Sequence, residues 1–305
     1  MEEVNGEGLI ARFTEDLKTA GRSGDTIKSY VSTVRQFCTF VNGGLLNVTK
    51  ENLQGYLNNM RSRNLRKSSI KRHFTILSEF YKFLIYNELY TSANPITAFR
   101  ERYLKEYKGS SGGGERYCPT TTEVIALVNS VLNTRDKAII VMLFKTGVRR
   151  KELSELDVSD VDLEKLTAIL KPTAKRTNRR VYFDDECAYI LSRWLTRRET
   201  LNANNNPALF LTKDGTRMSR GAIDDMFLKY SRAAGFTGTR IESKLTPHCC
   251  RHWFTTELEE AGMSYEHYSH LRGDKGTASA SRYIHVKEKK LLEEYLRCIP
   301  RLGIL

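Results

Sequence analysis

Residues Glu106 to Tyr117 read "EYKGSSGGGERY", and this run of glycine and serine divides the chain before any other feature is weighed. Such residues supply little to bury and restrict the backbone little, so the segment behaves as a flexible tether. Any core must then be built twice, once on each side. The expected organisation is a domain over residues 1–105, a linker over 106–117 and a second domain over 118–305. A chain of 305 residues with 40% hydrophobic content can supply both cores.

Before the linker, apolar side chains recur three and four apart at Tyr30, Val34, Phe37 and Val41, and again at Ile70, Phe74, Leu77, Tyr81 and Leu84. That spacing lines one face of a helix. It predicts a small helical bundle whose aromatics are mostly core. After the linker, "TTTEVIALVNSVL" opens with a threonine cap followed by glutamate, and "RDKAIIVMLFKTG" is an apolar helix stopped by Gly147. "SRGAIDDMFLKYSRAAG" is a capped helix, and Thr246 with Pro247 starts another. "TAIL", "RRVYF" and "ALFL" are short β-branched or aromatic runs expected as strands, the first two joined by the basic turn "KPTAKRTN". The fold class is therefore mainly α with a small antiparallel β-sheet, the second domain being α+β.

The formal net charge is +13, with a cationic excess on both sides of the linker. Such a surface is drawn to polyanions, nucleic acid first among them. The cations cluster in "RSRNLRKSSIKRH" and "KPTAKRTNRR", although either run alone also fits a solvated face. Neither has a large apolar face opposite its charges, which argues against binding to a membrane surface. No secretory pattern marks "MEEVNGEGLIARF" and no apolar run is long enough to span a bilayer, so a soluble, cytoplasmic protein with reduced cysteines is expected.

"LTPHCCRHWFTTEL" raises a question of chemistry, because His248 and His252 lie four apart on one helix face, as paired metal ligands do. Cys249 and Cys250 are adjacent, so in a helix they point about 100° apart and cannot both join that face. The other cysteines are single and no CxxC pair exists. Histidine and cysteine are also ordinary occupants of a half-buried helix.

Taken in order, "TGVRRKELSELDVSDVD", the basic turn, "PHCCRHWFTTELEEAG" and "LRGDKGTASASRYIHV" resemble the tyrosine recombinases, the phage integrase family. The family pattern is a TG-hydrophobic-R-x-x-E-L box, a hairpin lysine, an H-x-x-R helix after a proline, and an L-x-G-H turn nine residues before Y-x-H. "SGDTIKSYVSTVRQFCTFV" and "SSIKRHFTILSEFYKFLIYNELYTSANPI" are similar to the family's core-binding helices, so the likeness spans essentially the whole chain. "PHCCRHWFTT" with "LRGD" is most similar to integrases of archaeal viruses and plasmids.

The resemblance implies an N-terminal helical, SAM-like core-binding domain, a C-terminal catalytic domain, and site-specific cleavage and rejoining of double-stranded DNA through a 3′-phosphotyrosyl intermediate. Without metal, that chemistry needs a nucleophile, neutralisation of the phosphorane-like charge and a proton for the leaving 5′ oxygen. The motif positions assign Tyr283 as nucleophile and Arg149 and Arg251 as the clamp on the non-bridging oxygens, a task suited to the guanidinium fork. Arg150 competes with Arg149, but the family box places its arginine two residues after the glycine. Glu152 matches an acid that orients the first arginine. His248 becomes a hydrogen-bonding general base or phosphate ligand, and Lys175 the general acid, with Lys171 the alternative.

Asp274 stands where the family usually has His or Trp. A carboxylate there repels the phosphate unless protonated or paired with Lys275, Arg272 or Arg282; otherwise it accepts a bond from the tyrosine hydroxyl or braces the turn. The resemblance implies no cofactor, no metal and no small-molecule substrate. It implies a homotetramer on DNA, compatible with a monomer in solution, and two domains that grip the duplex. A type IB topoisomerase and a DNA-binding protein that has lost catalysis are the alternatives. In the tail, Leu291, Leu292, Tyr295, Leu296 and Ile299 lie at helical spacing. The family docks this segment on a neighbouring protomer; its apolar face could instead cover its own domain.

Overall fold

A computed structural model describes residues 6–105, 117–172, 176, 178–201, 205–238, 245–273 and 288–305. The backbone separates into two compact units, Met1–Gly114 and Glu115–Leu305.

The first unit is built from α1 (Gly6–Thr19), α2 (Gly24–Phe40), α3 (Lys50–Ser62), α4 (Lys67–Tyr86) and α5 (Pro95–Tyr103). Three of these starts have a local cause. The hydroxyl of Ser23 accepts the Thr26 N–H, Thr49 and Asn52 cap each other reciprocally, and Asn94 caps a first turn that opens with proline. Ile70, Phe74, Leu77, Tyr81 and Leu84 are all buried, as are Val34 and Phe37, while Tyr30 and Val41 are half-buried. Phe13 meets Phe80 edge-on at 5.2 Å, and the buried Tyr81 hydroxyl donates to the Leu45 carbonyl at 2.7 Å. The basic run stays outside this core: Arg61, Arg63, Arg66, Lys67 and Arg72 are exposed.

The second unit contains α6 (Thr121–Ser130), α7 (Thr134–Thr146), α8 (Arg150–Ser154), β1 (Val161–Asp162), β2 (Thr167–Ile169), β3 (Arg180–Tyr182), α9 (Asp185–Glu199), α10 (Arg220–Ala233), α11 (Pro247–Glu260), α12 (Tyr265–Arg272) and α13 (Glu288–Cys298). Its sheet has the order β1-β2-β3, all antiparallel, with Ala168 opposite Val181. From Ala138 to Thr146 every residue of α7 is buried, and α9 and α11 both pack on it.

"TAIL" and "RRVYF" form β2 and β3 as expected, but Ala208–Leu211 does not form a ladder strand. Those four residues are buried, and among the described residues their β-pairing is limited to the isolated bridges Asp157 to Ala208 and Leu211 to Arg217. Periodicity cannot separate a short buried apolar run from a strand. The third strand is Val161–Asp162, too short to carry a pattern.

The tail covers its own domain. Leu291, Tyr295, Cys298, Ile299 and Leu302 are buried in the core of the second unit, while Leu296 on the other face is 40% exposed. The Tyr295 hydroxyl donates to the Lys145 carbonyl at 2.6 Å. Lys145 has no exposed surface, and its ammonium donates to Asp184 Oδ2 at 2.5 Å, Glu186 Oε2 at 2.9 Å and the Pro300 carbonyl at 2.5 Å. Glu186 in turn accepts the backbone N–H groups of Leu302 and Ile304. Docking of this face on a neighbouring protomer is therefore not the arrangement the chain adopts here.

Candidate active site

The site begins where α7 stops. Gly147 ends it in the left-handed region, φ 59°, and a Cβ there would lie 2.6 Å from the Phe254 ring, so only glycine fits this turn. The chain turns through Val148 into Arg149, at the start of α8. One carboxylate then holds Arg149 twice: Glu152 Oε2 accepts its backbone N–H at 2.8 Å and Oε1 accepts Nη1 at 3.0 Å. Glu152 is buried while the Arg149 side chain keeps 32% exposure, so the guanidinium is anchored to the interior and still reaches the surface.

Helix α11 brings the second group. Pro247 opens it, and the backbone N–H and hydroxyl of Thr246 both lie 3.4 Å from Cys249 Sγ. The thiol thus takes the place of the usual Glu or Gln of a capping box, and Cys249 and Cys250 face the core. His248 is exposed, its ring edge-on to His252 at 5.0 Å. Arg251 is buried and donates Nη1 to the Gly147 carbonyl at 2.8 Å and Nη2 to the Arg272 carbonyl at 2.7 Å. It therefore ties the turn before Arg149 to the end of α12.

Arg149, His248 and Arg251 line one open cavity of about 690 Å³, together with Arg150, Arg220 and Asp224. Arg150 is present but forms an ion pair with Asp224 on α10, whereas Arg149 is held by the buried Glu152. Three separate elements thus deliver cations and an imidazole to one concave surface, which suits an anionic ligand.

Lys171 is bound to Asp157 at 2.7 Å and Asp160 at 2.9 Å, and these carboxylates, Asp157 first, push its ammonium above the usual lysine range. A general acid needs a proton it releases readily, which is the opposite shift. Lys175, Asp274 and Tyr283 lie outside the described residues.

No motif marked two further residues of the β2–β3 connection. Arg176 is buried against Glu152 and α12, and Asn178 Nδ2 donates to the carbonyls of Arg180 at 2.7 Å and His270 at 3.2 Å. Burial and the nearby charges of His267 and Arg176 lower the His270 pKa. A basic run such as "AKRTNRR" signals cations but not which of them turns inward.

Residues 120–290 match the phage integrase family, and residues 9–91 match the phage integrase N-terminal SAM-like domain. A tyrosine recombinase XerC from Natranaerobius thermophilus is 30% identical over 268 residues, covering 83% of this chain and 84% of the relative. The crystal structure of a lambda integrase (75–356) dimer bound to a COC′ core site superposes with a TM-score of 0.70 at 17% identity, over 92% of this chain and 99% of that one. A lambda integrase tetramer bound to a Holliday junction superposes with a TM-score of 0.69 at 16% identity, over 92% of this chain and 77% of that one. At such identities these two likenesses concern the fold.

Proposed function

The chain belongs to the phage integrase family and is a site-specific tyrosine recombinase acting on DNA, and from that premise we propose how its own residues carry the reaction. The Tyr283 oxygen attacks the scissile phosphorus, the bond to the 5′ oxygen breaks, and a 3′-phosphotyrosyl link conserves the phosphoester for rejoining. Arg149 and Arg251 neutralise charge on the non-bridging oxygens, His248 hydrogen-bonds the phosphate or takes the tyrosine proton, and Lys175 protonates the departing 5′ oxygen. Asp274, nine residues ahead of the nucleophile, either accepts a bond from the tyrosine hydroxyl or braces its turn.

One observation carries this reading: Arg149, from the turn after α7, and His248 and Arg251, from α11, converge on one cavity. The ion pairs of Lys171 with Asp157 and Asp160 favour Lys175 over it as the acid. With guanidinium groups supplying the positive charge, no metal or cofactor is needed. Double-stranded DNA is the substrate, and the working assembly is a homotetramer on DNA, as in the lambda integrase complex. Neither a topoisomerase nor a binding protein without catalysis is favoured by the relatives.

The test is a duplex carrying the recombination site, found by sequencing the junctions the protein makes, and nicked beside the attack point so that the cleaved end diffuses away. The wild type should accumulate a covalent adduct in EDTA. Tyr283→Phe should bind equally and form none, since one lost hydroxyl leaves the cationic surface intact. An adduct surviving in Tyr283→Phe overturns the nucleophile. Loss of cleavage in EDTA by a protein that stays folded, restored by zinc, revives a metal site at His248 and His252.

A further inference from the structure

We propose that Arg176 is a positioning residue for Arg149, acting through the carboxylate they share. This rests on the recombinase reading, in which Arg149 clamps the scissile phosphate. Arg176 sits in a turn whose other cations read as a DNA-facing surface, yet only 1% of its side chain is exposed. Its Nη1 is 3.2 Å from Glu152 Oε2, its Nη2 donates to the Leu271 carbonyl at 2.6 Å and its Nε to the Asn178 carbonyl at 2.5 Å. A guanidinium held in this way is directed at the protein, not at a phosphate.

Glu152 Oε2 is the oxygen that also accepts the Arg149 backbone N–H, while Oε1 accepts Arg149 Nη1. The carboxylate is thus bracketed, with Arg149 on the cavity side and Arg176 behind. The last torsion of a glutamate is intrinsically broad, so a carboxylate held from one side only can swing, and the bonds it makes swing with it. Arg176 removes that freedom and refers it to a rigid element, the C-terminal turn of α12. The fit is close: at Gly273, φ 61°, a Cβ would lie 2.7 Å from Arg176 Cγ and 2.9 Å from its Nε, so the glycine after α12 leaves the space the arginine fills. A single side chain thereby links the β2–β3 turn, the support of Arg149 and the end of α12.

The test compares adduct formation on the nicked duplex with a normal scissile phosphate and with a methylphosphonate, which lacks one charged oxygen and so needs the clamp less. Arg149→Ala defines the signature of a lost clamp: a large loss on the phosphate, a smaller one on the methylphosphonate. Arg176→Gln and Arg176→Lys should repeat it, with a loss of about tenfold to a hundredfold on the phosphate, the scale expected for a displaced catalytic group. On the methylphosphonate that loss should shrink severalfold. Arg176→Lys keeps the charge but not the fork, and is scored alone if Arg176→Gln does not fold. Equal losses on both substrates, or none, overturn the proposal, since a purely structural arginine has no reason to prefer one phosphate chemistry. If Arg149→Ala itself shows equal losses, the clamp reading fails and takes this inference with it.

Discussion

Lys145 illustrates how single residues are decided by what surrounds them. It follows the apolar run "AIIVMLF" and has no exposed surface, a placement that is prohibitive for an unpaired ammonium. Asp184, Glu186 and the Pro300 carbonyl make it tolerable. Removing one partner of a buried pair strands the other, so Lys145→Met should lower unfolding stability by about 3–5 kcal/mol, read from the urea midpoint. Burial alone pushes the Glu186 carboxyl up, but Lys145 and the N–H groups of Ile304 and Leu302 outweigh it and hold it below the usual carboxylate range. A folded pKa below the unfolded one contributes stability that is present above about pH 4.3 and lost as pH falls through the folded value. Glu186→Gln should therefore lower Tm at pH 7 and flatten its decline below about pH 4; a wild-type decline that persists unchanged would refute the pairing.

At the scale of elements, the tail helix shows the limit of a face read from spacing. Leu291, Tyr295 and Ile299 lie on one stripe and are buried, Leu296 is not, and the stripe meets the protein's own core. Each buried leucine or isoleucine contributes about 1.5–3 kcal/mol. Leu291, Ile299 and Leu302 together already reach the scale of a whole domain's stability, about 5–15 kcal/mol. Truncation after Lys290 should accordingly unfold the second unit, with loss of its cooperative thermal transition and weaker DNA binding together. A truncated protein that melts normally and fails only in synapsis would restore docking between protomers. The turn after α7, the β2–β3 connection and the end of α12 depend on one another in the same sense. Arg251 and Arg176 cross-brace them through carbonyls at Gly147, Arg272 and Leu271.

For the whole molecule, the net charge of +13 governs association rather than fold. Each phosphate contact releases counterions, so the logarithm of the DNA association constant should fall linearly with the logarithm of salt concentration, by about 0.9 per contact. Arg63 and Arg66, exposed in the first unit, are candidates for such contacts. Arg63→Ala and Arg66→Ala should each flatten the slope by about 0.9 without altering Tm. An unchanged slope in both would place the DNA away from this surface. No helix among the described residues is long and apolar enough to cross a membrane.

What could be read without a structure was whatever lies close together along the chain. Caps at Thr120, Ser219 and Thr246, the glycine stop at Gly147, the apolar stripes of α2 and α4 and the ordered motifs around Arg149 and His248 are local patterns, set by the geometry of one helix turn. Burial is not local. That Arg176 turns inward while Arg63 stays in solvent, that Lys171 is bound to Asp157, that Ala208–Leu211 is core without being a strand, and that the tail seals its own domain all depend on partners distant in sequence. Within one basic run the cations are chemically alike. Only the packed chain separates the arginine that faces a carboxylate from those that face water, because the cost of a buried charge is set by the oxygens that tertiary structure brings to it.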